Sequence, residues 1–247
     1  MGKQRLKRIQ AGRLVREVLW TPTYPCDSPK AREVKGRTSS AVRRAINQRH
    51  AWQRLKLLLA ANFTAEDLHV VLTYDNEHLP PNREAARKLL KRLLTELRAA
   101  RRQSAGLRYV YNIEGRHGDK RLHHHIVLNA AGNDYETIRS LWKHGNDIDI
   151  SRIDEWGYEE LAKYLTKEAR EGVTGVGSRS YVPSRNLVQP EEPPAEWVPA
   201  HVRLEAPLNA QIICSEQMEN AFGRYQFMEY FLPEPPRETR TRRKSGM

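Results

Sequence analysis

The sequence predicts an α+β fold, a mainly antiparallel central sheet with flanking helices. Three observations support this. Short runs rich in β-branched and aromatic residues occur at 68–74, 107–114 and 122–129. Between and around them lie segments whose apolar residues recur at helical intervals. The resulting order, strand, helix, strand, strand, helix, strand, helix, suits an antiparallel sheet better than a run of parallel crossovers.

The front of the chain is strongly basic. Residues 1–56 hold fifteen Lys or Arg against three acids, and they carry the net charge of +12 and the pI near 9.8. Such an excess favours a polyanionic partner, because Lys and Arg release counterions from phosphates. The segment therefore reads as phosphate-seeking. Its first part, through the Pro-rich stretch Thr21 to Pro29, shows little periodicity and is expected to be a flexible arm. Ser39 to Ala61 follows as one long helix, with Val42, Ala45, Ile46, Trp52, Leu55 and Leu59 at helical spacing.

The next elements alternate. Leu68 to Tyr74 is a buried strand closed by Asp75, Asn76 and Pro80-Pro81. Asn82 to Arg102 is a core helix, with Ala86, Leu89, Leu90, Leu93, Leu94 and Leu97 on one face and Arg83, Arg87, Lys88, Lys91, Arg98 and Arg101 largely off it. Leu107 to Glu114 and Leu122 to Asn129 form a hairpin joined by the polar loop Gly115 to Arg121. A shorter helix covers Tyr135 to Lys143, Ile148 to Ile153 supplies another strand, and Gly157 to about Arg170 is a helix with Tyr158, Leu161 and Leu165 inward. Beyond Glu171 the chain turns irregular and Pro-rich, then offers apolar stretches at Ala210 to Cys214 and Tyr225 to Leu232 before the basic tail Arg237 to Lys244. These features divide the chain into a basic arm and helix (1–62), a central domain (63–172) and a C-terminal extension (173–247).

Several function classes are excluded. There is no apolar run of about 18 residues and no signal-peptide pattern, so no membrane partner is expected and the location is cytoplasmic. Cys26 and Cys214 are far apart and lack metal-ligand spacing, which leaves no basis for a disulfide framework or a Cys-based zinc site. No Gly-rich loop with Lys-Ser or Lys-Thr follows the last helix of the central domain, and too few residues remain for a helicase domain.

The chemistry-bearing residues sit in the hairpin and the last helix. Side chains alternate along a strand, so His123 and His125 project together while His124 points away with Leu122, Ile126 and Leu128. Two imidazoles on one face can clamp a metal ion. Glu114 ends the preceding strand and comes near that face if the pairing register allows, which the sequence does not fix. Tyr164 and Lys167 lie three positions apart on one helix face, where a phenol and an ammonium can meet one phosphate.

Three motifs in order resemble the HUH endonuclease superfamily, in its branch of single-tyrosine replication initiators from phages, plasmids and mobile elements. Val71-Leu72-Thr73-Tyr74 is similar to the first motif, a strand ending in an aromatic that shapes the DNA-binding surface. Arg121-Leu122-His123-His124-His125-Ile126-Val127 is similar to the second, the His-hydrophobic-His metal motif, with Glu114 at the place of the acidic ligand. Lys163-Tyr164-Leu165-Thr166-Lys167 is similar to the third, the nicking motif. His124 departs from the pattern, since a bulky apolar residue is usual there, and this leaves open which two histidines bind metal.

The resemblance spans about Leu68 to Arg170 and implies a ferredoxin- or RRM-like palm. It further implies catalysis by Tyr164 and Lys167, one Mn²⁺ or Mg²⁺ on His123, His125 and Glu114, and DNA contacts from Thr73, Tyr74, Arg121, Lys163, Arg179 and Arg185. Such a protein nicks single-stranded DNA or an origin hairpin through a 5′-phosphotyrosine intermediate, leaves a free 3′-hydroxyl for rolling-circle replication, and relies on a host helicase and polymerase. A relaxase or single-strand transposase would share these residues. A non-catalytic single-stranded nucleic-acid-binding module is the remaining alternative, with aromatics such as Tyr74 or Tyr109 stacking bases.

Overall fold

The computed structural model describes residues 3–22, 40–101, 106–115, 121–166, 180–220 and 223–234. The chain divides into two compact units, one made of Met1–Pro25 with Glu191–Met247 and the other of Cys26–Pro190. Among the described residues there are two antiparallel five-stranded sheets and four α-helices, an α+β fold.

The unit Cys26–Pro190 contains, in chain order, α1 (Ser40–Asn62), β3 (Leu68–Leu72), α2 (Arg83–Ala100), β4 (Tyr109–Glu114), β5 (His123–Leu128), α3 (Asp134–Leu141), β6 (Ile148–Arg152), a short 3₁₀ turn (Glu155–Gly157), α4 (Tyr158–Leu165) and β7 (Val182–Pro183). Its sheet runs β6-β3-β5-β4-β7. Strict alternation gives the sheet one apolar face. Leu68, Val70, Leu72, Tyr111, Ile113, Ile126 and Leu128 point to that face and bury against Ala86, Leu90, Leu93, Leu94 and Leu97 of α2, with Ile138 of α3 and Trp142.

Helix α2 forms where its apolar stripe demands, and its start is set by Asn82, whose side chain accepts from the Ala85 amide at 2.9 Å. Its end is fastened by Arg101, buried against Asp134 at 2.6 Å and against Asn129 Oδ1 at 3.1 Å, which ties α2 to the start of α3. Helices α1 and α4 pack on each other, joined by an ion pair of 2.8 Å between Lys56 and Glu159. The inward stripe of α4 is Tyr158, Ala162 and Leu165, whereas Leu161 is half-buried and lines a cleft. The side chains of Val42, Ala45 and Ile46, the predicted continuation of α4 through Arg170, and the basic tail Arg237 to Lys244 lie outside the described residues.

In the unit formed by Met1–Pro25 and Glu191–Met247, the expectation of a flexible arm is corrected for residues 3–20, while residues 23–29 of that expected arm lie outside the described residues. Lys3–Ala11 (β1) and Leu14–Trp20 (β2) form a hairpin, extended by Glu196–Pro199 (β8), Gln211–Asn220 (β9) and Gly223–Phe231 (β10) into a sheet of order β8-β1-β2-β10-β9. Local periodicity concealed it because β2 pairs with β10, register Leu14↔Phe231 through Trp20↔Tyr225, and that partner lies at the far end of the chain. Ile9, Ala11, Leu14, Val15, Leu19, Met228, Tyr230 and Phe231 are among its buried apolar residues. Four cations of the hairpin are engaged within this unit. Lys7 pairs with Glu192 at 3.1 Å, Arg8 with Glu17 at 3.6 Å, Arg13 with Glu234 at 3.3 Å and Arg16 with Glu229 at 2.7 Å, so these cations meet acids of their own unit.

No described helix is long and apolar enough to cross a membrane. The Arg16–Glu229 pair is largely buried, its side chains 13% and 3% exposed. Removing one partner of a buried pair strands the other in low dielectric, so Arg16→Met should cost about 3–5 kcal/mol of unfolding free energy. Urea denaturation checks this, and Lys3→Met at the exposed hairpin end should stay within about 0.5 kcal/mol.

Candidate metal centre and active site

The β4–β5 register answers the question that the sequence left open. Glu114 pairs directly with His123, Asn112 with His125 and Ile113 with His124. Residues facing each other across an antiparallel pair share a face, so Glu114, His123 and His125 stand together on the face opposite the α2 core. Gly115 enables the turn away from β4. Its φ of +149° favours glycine, and a Cβ there would meet the Leu122 backbone at 2.9 Å.

Three ligand atoms converge at that point. Glu114 Oε2 lies 3.3 Å from His123 Nε2 and 3.2 Å from His125 Nε2. The ligand atoms of the three residues fall within 4.8 Å of one another, and this group could hold a metal ion. Glu114 Oε2 is buried and faces these two imidazole nitrogens without a well-formed hydrogen bond among the described residues, an arrangement that suits a carboxylate sharing a cation with them. His123 Nδ1 faces the Arg121 carbonyl at 2.9 Å, an arrangement that turns Nε2 towards the cluster. The imidazoles beside Glu114 hold its carboxyl well below the usual carboxylate range, so the group is ionised. Two imidazole nitrogens and one carboxylate oxygen suit Mn²⁺, Mg²⁺ or Zn²⁺ by ligand type.

His124 belongs to the other face. It is fully buried, its Nε2 lies 2.6 Å from the Tyr74 hydroxyl, and its ring meets Trp142 edge-on at 5.7 Å. Burial, with the neighbouring histidines, pushes its pKa down to about 3, so it is a neutral core residue. Tyr74, expected on the DNA-binding surface, is only 2% exposed, and its ring packs between His124 and Trp142. A stacking contact of that ring with a base is therefore corrected: the strand ends with Tyr74 turned into the core, and burial raises its hydroxyl pKa.

Tyr164 stands on α4 beside the cluster. Its hydroxyl is 3.4 Å from His125 Nε2, its ring meets His125 edge-on at 4.8 Å, and it remains 40% exposed. Burial and the charge of Glu114 raise its pKa, so the phenol is protonated at rest. Lys163 is held by Glu159 at 2.8 Å and Glu160 at 3.0 Å and sits over the Trp52 ring. Thr73 bonds the Asp147 carbonyl at 2.7 Å, and exposed Arg121 reaches the Tyr74 carbonyl at 3.3 Å. Arg185 is exposed and lines a cleft with Tyr109 and Tyr111, away from the metal face. Lys167 and Arg179 lie outside the described residues.

Sequence reasoning missed His69. It stacks on His125 at 5.6 Å, its buried Nε2 has no partner among the described residues, and burial with the neighbouring His125 lowers its pKa to about 4. Together with Arg152, Lys163 and Tyr164 it lines a cleft of 590 Å³. The signal was present: within β3, Val70 and Leu72 mark the core face, so His69 and Val71 face the metal side.

This arrangement places a candidate divalent-metal site next to a solvent-accessible phenol on an antiparallel sheet. Residues 67–169 match the family model of replication-associated protein ORF2/G2P. That stretch includes β3, β4, β5, α4 and every residue of the cluster, and the match is consistent with a Rep-type protein of rolling-circle replication. No curated protein and no solved structure matches the chain.

Two outcomes test this geometry. His125→Ala should weaken Mn²⁺ binding by more than the roughly 10–100-fold typical of losing an outer partner, while His124→Leu should stay at or below that range; titration calorimetry reads both. The unfolded chain takes up protons at histidine below about pH 6.5, whereas His124 and His69 stay neutral in the folded state down to about 3 and about 4. Stability of the metal-free protein should therefore fall as pH drops from about 7 to about 5. The Tyr74→Phe/His124→Leu pair, which removes both polar partners, should flatten that slope in urea titrations, leaving the part due to His69.

Proposed function

We propose that this protein is a metal-dependent endonuclease that nicks single-stranded origin DNA through Tyr164 and initiates rolling-circle replication. The observation that carries this reading is the 3.4 Å separation between the Tyr164 hydroxyl and His125 Nε2, at the edge of the Glu114–His123–His125 cluster. The similarity to replication-associated proteins over residues 67–169 favours initiation over a relaxase or single-strand transposase built from the same residues.

His123, His125 and Glu114 would hold one divalent ion, which supplies charge stabilisation on the non-bridging oxygens of the scissile phosphate. Mn²⁺ or Mg²⁺ fits the resemblance. The chain's own residues do the rest. Glu114 stays ionised because two imidazoles adjoin it, and its charge also opposes ionisation of Tyr164 until a cation offsets it. Helix α4 orients the phenol towards the cluster while leaving it open to the strand.

Attack of the Tyr164 oxygen on phosphorus forms the phosphotyrosine bond and breaks the bond to the 3′ oxygen. That oxygen leaves with a proton, the phenolic proton passes to solvent, and the products are a 5′-phosphotyrosine and a free 3′-hydroxyl. Lys167, from the resemblance, orients the phosphate or balances its charge. Thr73, Arg121, Lys163, Arg179 and Arg185 remain the proposed DNA contacts, with Thr73 just after β3 and Arg121 just before β5. Host helicase and polymerase would supply unwinding and synthesis, in the cytoplasm.

Tyr164→Phe keeps the ring and removes the nucleophile. It should abolish the covalent protein–DNA adduct formed with a single-stranded oligonucleotide library and Mn²⁺, as read by gel shift under denaturing conditions, while binding falls by no more than about threefold. An adduct that survives the substitution would overturn the assignment of Tyr164, and no adduct with the unaltered chain would favour a non-catalytic binding module.

A further inference from the structure

A second cleft lies on the opposite face of the same sheet. Its volume is 600 Å³, and it opens between α2, β4 and the segment that follows β7. Tyr109 and Tyr111 alternate with Val110 and Asn112 along β4, so they face α2 while Asn112 and Glu114 face the metal side. Lys91, Arg98 and Arg185 line the cleft and are exposed, and among the described residues its lining contains no Asp or Glu.

The walls are fixed by hydrogen bonds. The Tyr109 amide donates to Ser184 Oγ at 3.0 Å, the Ser184 amide donates to the Tyr109 carbonyl at 2.8 Å, and Asn186 Nδ2 donates to the Leu107 carbonyl at 3.2 Å. The Tyr109 ring stacks on Tyr111 at 6.0 Å and 29°, and Tyr111 is buried, so the half-exposed Tyr109 ring is held in place from beneath.

Three cations without an acid among them select an anion, and a held tyrosine face adds affinity for a planar ring. A nucleotide supplies both, phosphate for the cations and base for the ring. The volume falls within the roughly 300–1,000 Å³ of small-ligand pockets, so it admits a base splayed out of a strand but not a duplex about 20 Å across.

We propose that this cleft is a second binding site for single-stranded DNA, taking a nucleotide outside the stretch cut at Tyr164, with Lys91, Arg98 and Arg185 on phosphate and Tyr109 against the base. The inference rests on the reading that this chain acts on single-stranded DNA. It goes beyond that reading by placing part of the bound strand on the face away from the metal cluster, at the β7 edge of the sheet.

The test is binding of the full chain to a fluorescent single strand of about 30 nucleotides without divalent ion, so that no cutting intervenes, across a salt series. Lys91→Ala/Arg98→Ala should weaken binding about tenfold and lower the slope of log K against log salt by about 1.4, two contacts at about 0.7 each. Tyr109→Ala should weaken binding about tenfold with the slope unchanged, and Tyr109→Phe should restore it, because the ring alone is required. Both cationic side chains are exposed, so the double variant tests the cleft without loss of the core. Unchanged affinity and slope in Lys91→Ala/Arg98→Ala would overturn the inference, as would an equal loss of affinity for a duplex of the same length. Failure of the nuclease reading would look different: the unaltered chain would bind through the cleft and yet form no adduct at Tyr164.

Discussion

The pairing of β4 with β5 in the register that sets Glu114 opposite His123 is the constraint on which the site depends. Side chains alternate, so a slip of one residue would send Glu114 to the core face and bring Ile113 to the metal face. Several features hold the register. Ile113, Ile126 and Leu128 must meet the α2 core, Gly115 provides a turn that other residues resist, and Asn129 bonds back to Arg108, its Oδ1 accepting the amide at 2.7 Å. The burial that stabilises the fold thus also aligns the metal ligands.

The two faces of the sheet give one residue type two fates. His123 and His125 keep their Nε2 atoms beside the Glu114 carboxylate, in a group that could hold a cation. His124, between them in sequence, is enclosed with Tyr74 and Trp142, where burial penalises its charged form. Trp142 in turn donates its indole N–H to the Thr73 carbonyl at 2.9 Å, which anchors this aromatic layer to the end of β3. Inside the core the Tyr74 hydroxyl and His124 Nε2 satisfy each other, while His124 Nδ1 is left without a partner among the described residues. The layer gives the cluster a rigid floor.

Much of the unit Cys26–Pro190 was legible because its signals are local. Period-2 runs marked β3, β4, β5 and β6, the leucine stripe marked α2, and strand alternation set His123 and His125 on one face, although the motif left open which two histidines bind metal. The Glu114 register was not legible, since it depends on which residues across the turn pair. His69 was overlooked although β3 parity exposes it, because one histidine in an apolar strand carries no spacing pattern of its own. The β1–β2 hairpin was misread as an arm because its apolar positions, Ile9, Val15 and Leu19, are interspersed with cations and gain meaning only beside β10. Tyr74 was misplaced for a related reason: a strand-ending aromatic can turn to either face, and the Trp142 ring that draws it inward comes from beyond α3.

Net charge locates a polyanion site poorly, and this chain shows why. The N-terminal 56 residues carry as large an excess as the whole chain, yet Lys7, Arg8, Arg13 and Arg16 of the first hairpin pair with Glu192, Glu17, Glu234 and Glu229. A cation already paired has less to gain from a phosphate, because the phosphate must displace an acid before it releases any counterion. The cations whose charge remains available are better sought where acids are absent. Lys91 and Arg98 fit that description, on the basic back of a helix whose other side builds the core, and periodicity alone had assigned them only to solvent. What distinguishes them from ordinary solvated lysines and arginines is their setting, with Arg185 brought beside them by the segment after β7 and Tyr109 offering a planar face between.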